Sequence, residues 1–381
     1  GTVQWSRAVT ISAVLVALLS PFMGALADRS GYRRHFIAAT TVLTIMLVSL
    51  MYFPRPGGML LALFLFVLSD VAYEMSGVFY NSYLPDIAPQ KRIGRISGYG
   101  WALGYLGGLL AMAVALVGFV QPEQPWFGFS RDAGENIRAT TILVGIWFAV
   151  FSIPFFLWVP ERKPSRSADT RKIFTATLRQ LGGTFREIRR YRQIVRLLVA
   201  RLLYNDGLIT IFAFGGPYAA ETFGFSFTEV MYFGLALNVT AGIGAFGMGF
   251  LDDRIGGKRT ILITIVGLGL GTLGAAVATS KAELWAAGLF LGIFVGPNQA
   301  ASRSLLGRFV PHKKETEFYG FFAFSGKAIA FMGPLLLGIF TDVFQTQRAG
   351  VATVILFFVV GGLLTLRVNE REGIALGGRG H

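Results

Sequence analysis

The 381-residue chain has no cysteine, which excludes disulfides and thiolate metal sites and leaves the redox compartment open. Its three histidines, His35, His312 and His381, are too scattered among loops and tail to form a metal cluster, so neither a metal nor any other cofactor is expected. Charge is scarce as well: Asp, Glu, Lys and Arg make up 15%, where a soluble domain carries about a quarter. No nucleophile with a base and an orienting partner, and no phosphate-cradling loop, lies within the apolar stretches; an enzyme is not expected. What fills the chain instead is 53% hydrophobic residues, with 35 Phe and 48 Gly. Apolar runs of about 18 residues or more recur to the end of the sequence, the pattern of a polytopic helical membrane protein rather than of a signal peptide.

Eleven spans can be drawn, near 8–27, 36–53, 59–84, 97–120, 139–159, 197–219, 228–251, 260–278, 284–306, 318–340 and 349–366. A net charge of +14 could signal nucleic-acid binding, but the basic residues gather in alternate loops, as they do where loops face anionic lipid. Arg29, Arg33 and Arg34, Lys91, Arg92 and Arg95, the 160–196 segment, Arg254, Lys258 and Arg259, Arg308, Lys313 and Lys314, and Arg367 and Arg371 all fall on one side. That side is read as cytoplasmic, with Gly1 and the 121–138 loop outside and the C-terminus inside; a bacterial inner membrane is the expected location.

One short stretch occurs twice. Gly24-Ala-Leu-Ala-Asp28-Arg29-Ser-Gly31-Tyr-Arg33-Arg34 matches Gly249-Phe-Leu-Asp-Asp253-Arg254-Ile-Gly256-Gly-Lys258-Arg259 in the spacing of Gly, Asp, Arg, Gly and the closing basic pair. Each copy joins two apolar runs, so each is a tight loop between membrane helices, and two copies in register imply an internal duplication. A second match, Pro89-x-Lys91 with Gly98-x5-Gly104 against Pro311-x-Lys313 with Gly320-x5-Gly326, supports the pairing of halves. The first loop copy follows the first span of the chain, whereas the second follows the second span after the central segment. A first helix is therefore expected to precede Gly1 in the intact protein, completing six plus six.

The division reads as an N-terminal bundle at 1–159, a cytoplasmic linker at 160–196 and a C-terminal bundle with a short tail at 197–381. In the linker, Phe174, Leu178, Leu181, Phe185 and Ile188 form one helical stripe among arginines and lysines, which suits a helix lying on the inner leaflet. Gly100, Gly104 and Gly108, and Gly242, Gly244, Gly247 and Gly249, have the spacing of close helix packing.

Spans 36–53, 139–159, 260–278 and 349–366 hold no ionisable residue in their interiors and are expected to face lipid. Buried polar groups lie elsewhere: Asp70 and Glu74 one turn apart, Arg201, Asn205 and Asp206 together, then Asn238, Asn298 and Lys327. Ionisable groups in hydrocarbon normally face a watery path or a partner. The set is read as a substrate or proton cavity, with Asp70 and Glu74 a coupled proton-sensing pair; the alternative is that Arg201 or Lys327 simply neutralises Asp206 and fixes packing.

The loop pair resembles the signature of the major facilitator superfamily, and that resemblance spans both halves. Phe79-Tyr-Asn-Ser-Tyr-Leu-Pro-Asp-Ile-Ala-Pro89, the run from Arg92 through Gly98-Tyr-Gly-Trp-Ala-Leu-Gly104 to Gly108, and Tyr204-Asn-Asp-Gly207 are similar to the autophagy-related vacuolar amino-acid effluxers and their bacterial relatives. The resemblance implies an all-α fold of two six-helix bundles and export of neutral amino acids by a monomer that binds a small solute, with or without protons, in the bilayer. Sugar or drug efflux, or a transporter-like sensor without flux, are the alternatives. It also implies that Asp28 and Asp253 help lock the halves together, Asp28 toward the helix start near Phe318 and Asp253 toward that near Ser97. The competing arrangement pairs each aspartate with its own loop arginines.

Overall fold

A computed structural model of the chain describes residues 2–160, 170–187 and 189–377. Eleven helical spans among them are long and apolar enough to cross a membrane, the number read from the sequence. The helices are α1 (Thr2–Ser30), α2 (Arg33–Leu50), α3 (Met59–Asn81), the short α4 (Leu84–Ile87), α5 (Ile93–Ala115), α6 (Glu135–Trp158), α7 (Thr170–Arg186) and α8 (Arg192–Phe223). They continue as α9 (Phe227–Ile255), α10 (Gly257–Val277), α11 (Lys281–Phe309), α12 (Glu315–Lys327), α13 (Met332–Phe344), α14 (Gln347–Leu366) and α15 (Glu370–Gly377). Most extend past the expected ends. At 1.5 Å per residue a 32-residue helix such as α8 is about 48 Å long, well beyond a hydrocarbon core of about 30 Å. Apolarity marks only the part in hydrocarbon, while the helix itself runs on into the polar interface. The tight loops after α1 and α9 turn on Gly31 (φ 73°) and Gly256 (φ 93°), left-handed positions that a side chain would strain.

The span expected at 318–340 is two helices. Residues 328–331 form turns, with Ala330 N–H donating to the Lys327 carbonyl at 3.3 Å and Met332 N–H to that of Ile329 at 2.8 Å. Pro334 explains the restart: it has no N–H to continue a helix from α12, yet fits the first turn of α13, where N–H groups have no intrahelical partner.

Contacts group the chain into two units. The first comprises residues 1–83, 107–183 and 313–324; the second comprises 84–106, 184–312 and 325–381. This grouping differs from the sequence order, because the start of α5 packs with the later helices and the start of α12 with the earlier ones. Within the first unit α3 packs on α1 and α2, and α2 on α6. Within the second, α11 is flanked by α9 and α10, and α14 by α8 and α10.

The charge-free spans do not behave alike. α6 buries only 6% of its most apolar window, as a lipid-facing helix should, but α10 and α14 bury 50% and 39%. These two lack charge because they pack on other apolar helices as well as on lipid. The linker helix is present as α7, with Thr177 and Thr184 buried and Leu178 49% exposed, so its buried face is turned away from part of the apolar stripe. The side chains of Phe174 and Phe185, and Ile188 as a whole, lie outside the described residues, as does Gly1.

The glycine reading needs one correction. Gly104 and Gly108 have nothing within 4 Å of an added Cβ, whereas Gly94 and Gly98, about three and two turns before Gly104, meet the Asp252 side chain and the Ala245 carbonyl. Spacing identifies a small-residue face but not which stretch of it is occupied. On α9, Gly244 faces the Ile293 carbonyl of α11, and Gly296 of α11 faces the Ala241 carbonyl in return, while Gly247 is open. A Gly244→Leu variant should therefore fail to give a monodisperse peak on gel filtration in detergent, and Gly108→Leu should elute as the unaltered protein does.

Candidate functional site

Asp28, in the last turn of α1, sets its two carboxylate oxygens against the first turn of α12. It accepts from Thr316 N–H at 3.1 Å and Glu317 N–H at 2.8 Å. The approach depends on absent side chains: a Cβ on Gly24 would strike the Thr316 carbonyl, and one on Gly320 the Ser20 carbonyl. The loop arginines go elsewhere. Arg33 donates to the Ser82 carbonyl at 3.1 Å and lies over the Tyr83 ring, Arg34 donates to the Phe156 and Val159 carbonyls, and Arg29 is exposed.

Asp253, at the end of α9, repeats the arrangement on α5. Its oxygens accept from Gly94 N–H at 2.8 Å, Arg95 N–H at 3.3 Å and the Arg95 Nε at 2.6 Å. A carboxylate so placed contributes about 0.3–1 kcal/mol, and up to about 2 kcal/mol where partly buried. Gly249 brings the chains together, since its Cβ would sit 3.0 Å from the Arg95 Cα. Lys258 donates to the Leu366 carbonyl at 2.8 Å, and Arg254 is exposed. Four further residues join this arrangement, and of these the sequence had marked only Arg308, as a basic loop residue rather than a buried one in α11. Arg308 pairs with Asp252 at 2.6 Å and lies 3.6 Å from Asp253, Arg303 donates to the Ser97 hydroxyl and carbonyl at 2.9 and 2.8 Å, and Glu370 accepts from Gly257 and Lys258 N–H at 2.9 and 3.1 Å. Arg303 and Arg308 carried a signal: they stand in the buried small-residue run that ends α11, where an unpaired charge would be costly.

The other polar cluster braces the break between α12 and α13. From α8, Arg201 Nη1 donates to Ser325 Oγ at 2.9 Å, Asn205 Nδ2 to the Gly326 carbonyl at 3.3 Å, and Asp206 accepts from Gly333 N–H at 2.9 Å. Gln299 of α11 steadies Asn205 at 3.1 Å, and Tyr204 shares a hydrogen bond of 2.8 Å with Ser302. Lys327 closes the last turn of α12, on the near side of the break. Asp206 makes no ion pair among the described residues, and its second oxygen, fully buried, has no hydrogen-bond partner. Asn298 and Asn238 stand apart: the first ties α11 to Thr264 of α10 at 2.9 Å, the second donates to Gly234 on its own helix at 2.8 Å. Asn238 also lines a mainly apolar cavity of about 250 Å³ with Thr210, Tyr218, Phe233 and Leu291. Asp70 and Glu74 belong to the first unit, on one face of α3, and Ser12 of α1 donates to Asp70 at 2.5 Å.

A family model described as "Vacuole effluxer Atg22 like" matches residues 7–376. The chain belongs to that family. It is 26% identical over 366 residues to an uncharacterized MFS-type transporter, YxiO, of Bacillus subtilis, covering 95% of this chain and 83% of that protein. It is 25% identical over 311 residues to autophagy-related protein 22-1 of Penicillium rubens, and there covers 74% of this chain but 51% of the relative, so it spans about half that fungal protein's length. Among solved structures it aligns with the E. coli fucose:proton symporter FucP at a TM-score of 0.69 and 13% identity, over 96% of this chain and 92% of that one. The proton:xylose symporter XylE gives 0.71 and 13%, over 95% and 86%. At such identities the likeness is one of fold. Together these findings make the chain an integral membrane transporter of the major facilitator superfamily.

The two locks of this Atg22-like transporter differ in one charge. Aligning Pro89 with Pro311 and Gly98 with Gly320 sets Arg95 opposite Glu317. Where the second lock adds a guanidinium to Asp253, the first adds a carboxylate beside Asp28. Glu317 is fully buried; one oxygen takes Gln180 Nε2 of α7 at 2.7 Å and the other has no hydrogen-bond partner. Leaving a buried polar group unsatisfied costs about 1–3 kcal/mol, more when charged. Glu317→Gln should therefore unfold at a higher temperature than the unaltered protein in detergent, and Arg95→Gln at a lower one, each by a shift equivalent to about 1–3 kcal/mol.

Proposed function

We propose that this transporter exports small zwitterionic solutes, amino acids foremost, by alternating access coupled to protons. The observation that carries the reading is the braced break between α12 and α13. A helix interrupted within the membrane presents main-chain polar groups that a solute can meet, and such breaks mark binding sites in other transporters. Here the break stands among Arg201, Asn205, Asp206 and Lys327. The chain carries both signs that a zwitterion needs, carboxylates at Asp70 and Glu74 in the first unit and cations at Arg201 and Lys327 in the second. The family description, an effluxer, agrees with the direction. A monomer in a bacterial plasma membrane, with the 160–196 segment and the C-terminus on the cytoplasmic side, belongs to the same proposal and is supported by the alternation of basic loops and the Bacillus relative.

In liposomes, the purified protein should exchange a neutral amino acid in a saturable, trans-stimulated way, and a pH gradient should drive its accumulation. Arg201→Ala should lower exchange by about tenfold or more, as expected for loss of a charge-assisted contact of about 1.5–3 kcal/mol. Glu74→Gln or Asp70→Asn should abolish gradient-driven accumulation in at least one case while exchange at equal pH persists. Flux of sugars or amphipathic drugs alone would transfer the reading to those substrates. Ligand-induced thermal stabilisation without flux would make the protein a sensor.

A further inference from the structure

The second loop copy carries more positive charge than its lock uses. Around it, the α9–α10 loop and the α14–α15 connection enclose a depression of about 670 Å³ lined by Arg254, Lys258, Arg259, Arg367, Arg371 and Glu370. Glu370, the one carboxylate among these six, is committed to the start of α10 and lies 3.9 Å from Arg308. Lys258 is committed to the Leu366 carbonyl. The four arginine side chains make no hydrogen bond or ion pair among the described residues, and all four are exposed. The first loop copy leaves one exposed arginine, Arg29, which aligns with Arg254, but commits its closing basic pair. There Arg34, which aligns with Arg259, is spent on the Phe156 and Val159 carbonyls, and Arg33 on the Ser82 carbonyl.

We propose that this depression is a binding site for the headgroup of an anionic phospholipid. Guanidinium groups pair with a phosphodiester through two parallel N–H donors, a geometry that an ammonium group does not offer. Basic pockets at the inner ends of membrane helices are suited to anionic headgroups. The choice of a lipid over a free anion follows from what adjoins the site. Ile263, Val266 and Leu270 on α10, and Val359, Leu363 and Leu366 on α14, leave it as two stripes at helical spacing, each residue between 41% and 60% exposed. Acyl chains along these stripes would leave the phosphate at their foot, among the arginines. Arg254 follows Asp253 directly, and Glu370 holds the start of α10, so an occupied site would brace the hairpin that carries the second lock. The proposal does not depend on which solute is transported.

The test uses the full chain in detergent, titrated with phosphatidylglycerol or phosphatidylcholine and followed by thermal unfolding and by native mass spectrometry. Phosphatidylglycerol should raise the unfolding temperature and stay bound in the spectrum, and phosphatidylcholine should do neither. R254Q/R259Q/R367Q/R371Q should weaken phosphatidylglycerol retention by about tenfold or more, given roughly 1 kcal/mol per basic residue near an anionic surface. R179Q/R186Q/R189Q/R190Q removes the same charge from the linker and should leave retention within about twofold, a change too small to matter at this scale. Equal loss in both variants would mean bulk attraction and would overturn the site. A shift as large with inorganic phosphate or glycerol 3-phosphate would overturn the lipid assignment in favour of a soluble anion. If the fourfold variant does not purify, R367Q/R371Q must itself lower retention severalfold; unchanged retention there also overturns the proposal.

Discussion

A carboxylate set against the open N–H groups of a helix start is the interaction on which the rest of this structure depends. Among the described residues it occurs four times: Asp28 on α12, Asp253 on α5, Asp206 on α13 and Glu370 on α10. The first turn of a helix always leaves such donors without an intrahelical partner, and in or near hydrocarbon water cannot satisfy them cheaply. In each of these cases the acceptor comes from a residue far away in sequence, so satisfying a helix start also joins two separate parts of the chain.

Other helices are capped locally. Ser226 closes a capping box with Glu229 at the start of α9, Ser280 accepts from Glu283 N–H at the start of α11, and Thr346 from Arg348 N–H at the start of α14. A cap two or three residues away moves with its helix and cannot be released by a rearrangement of the fold. A cap supplied from another part of the chain can be. The loops that hold the local caps are the weakly basic ones, and the Asp28, Asp253 and Glu370 caps gather by the strongly basic ones. One set of helix ends is thereby capped within its own helix and the other by residues far away in sequence.

The same distinction explains what was legible in the sequence. Apolar runs report the spans because hydrocarbon imposes its thickness on each helix separately, and Ser226 with Glu229 could be read for the same reason. The repeated Gly–Asp–Arg loop was legible because it occurs twice; that Asp28 and Asp253 face helix starts was implied only by the resemblance to the superfamily. The partners of Arg303, Arg308, Asp252 and Glu370 were not legible, since they are set by how helices meet rather than by spacing along any one of them. The α12–α13 break had a visible cause in Gly333-Pro334, but hydropathy runs unbroken across it. Arg201, Asn205 and Asp206 were recognised as a group from their place on one helix; that they splint the break followed only from the position of α13.

We propose that the distant carboxylate caps hold one end closed and that releasing them opens it. The most direct measurement is the distance distribution between spin labels at Tyr32 and Lys313, placed in this cysteine-free chain as single-cysteine pairs. Asp28→Asn keeps the shape of the cap and removes its charge. Losing about 0.3–1 kcal/mol should multiply the ratio of longer- to shorter-distance populations about two- to fivefold. Asp253→Asn combined with it should shift the population further. A distribution that is unchanged in both the single and the double variant would contradict the account.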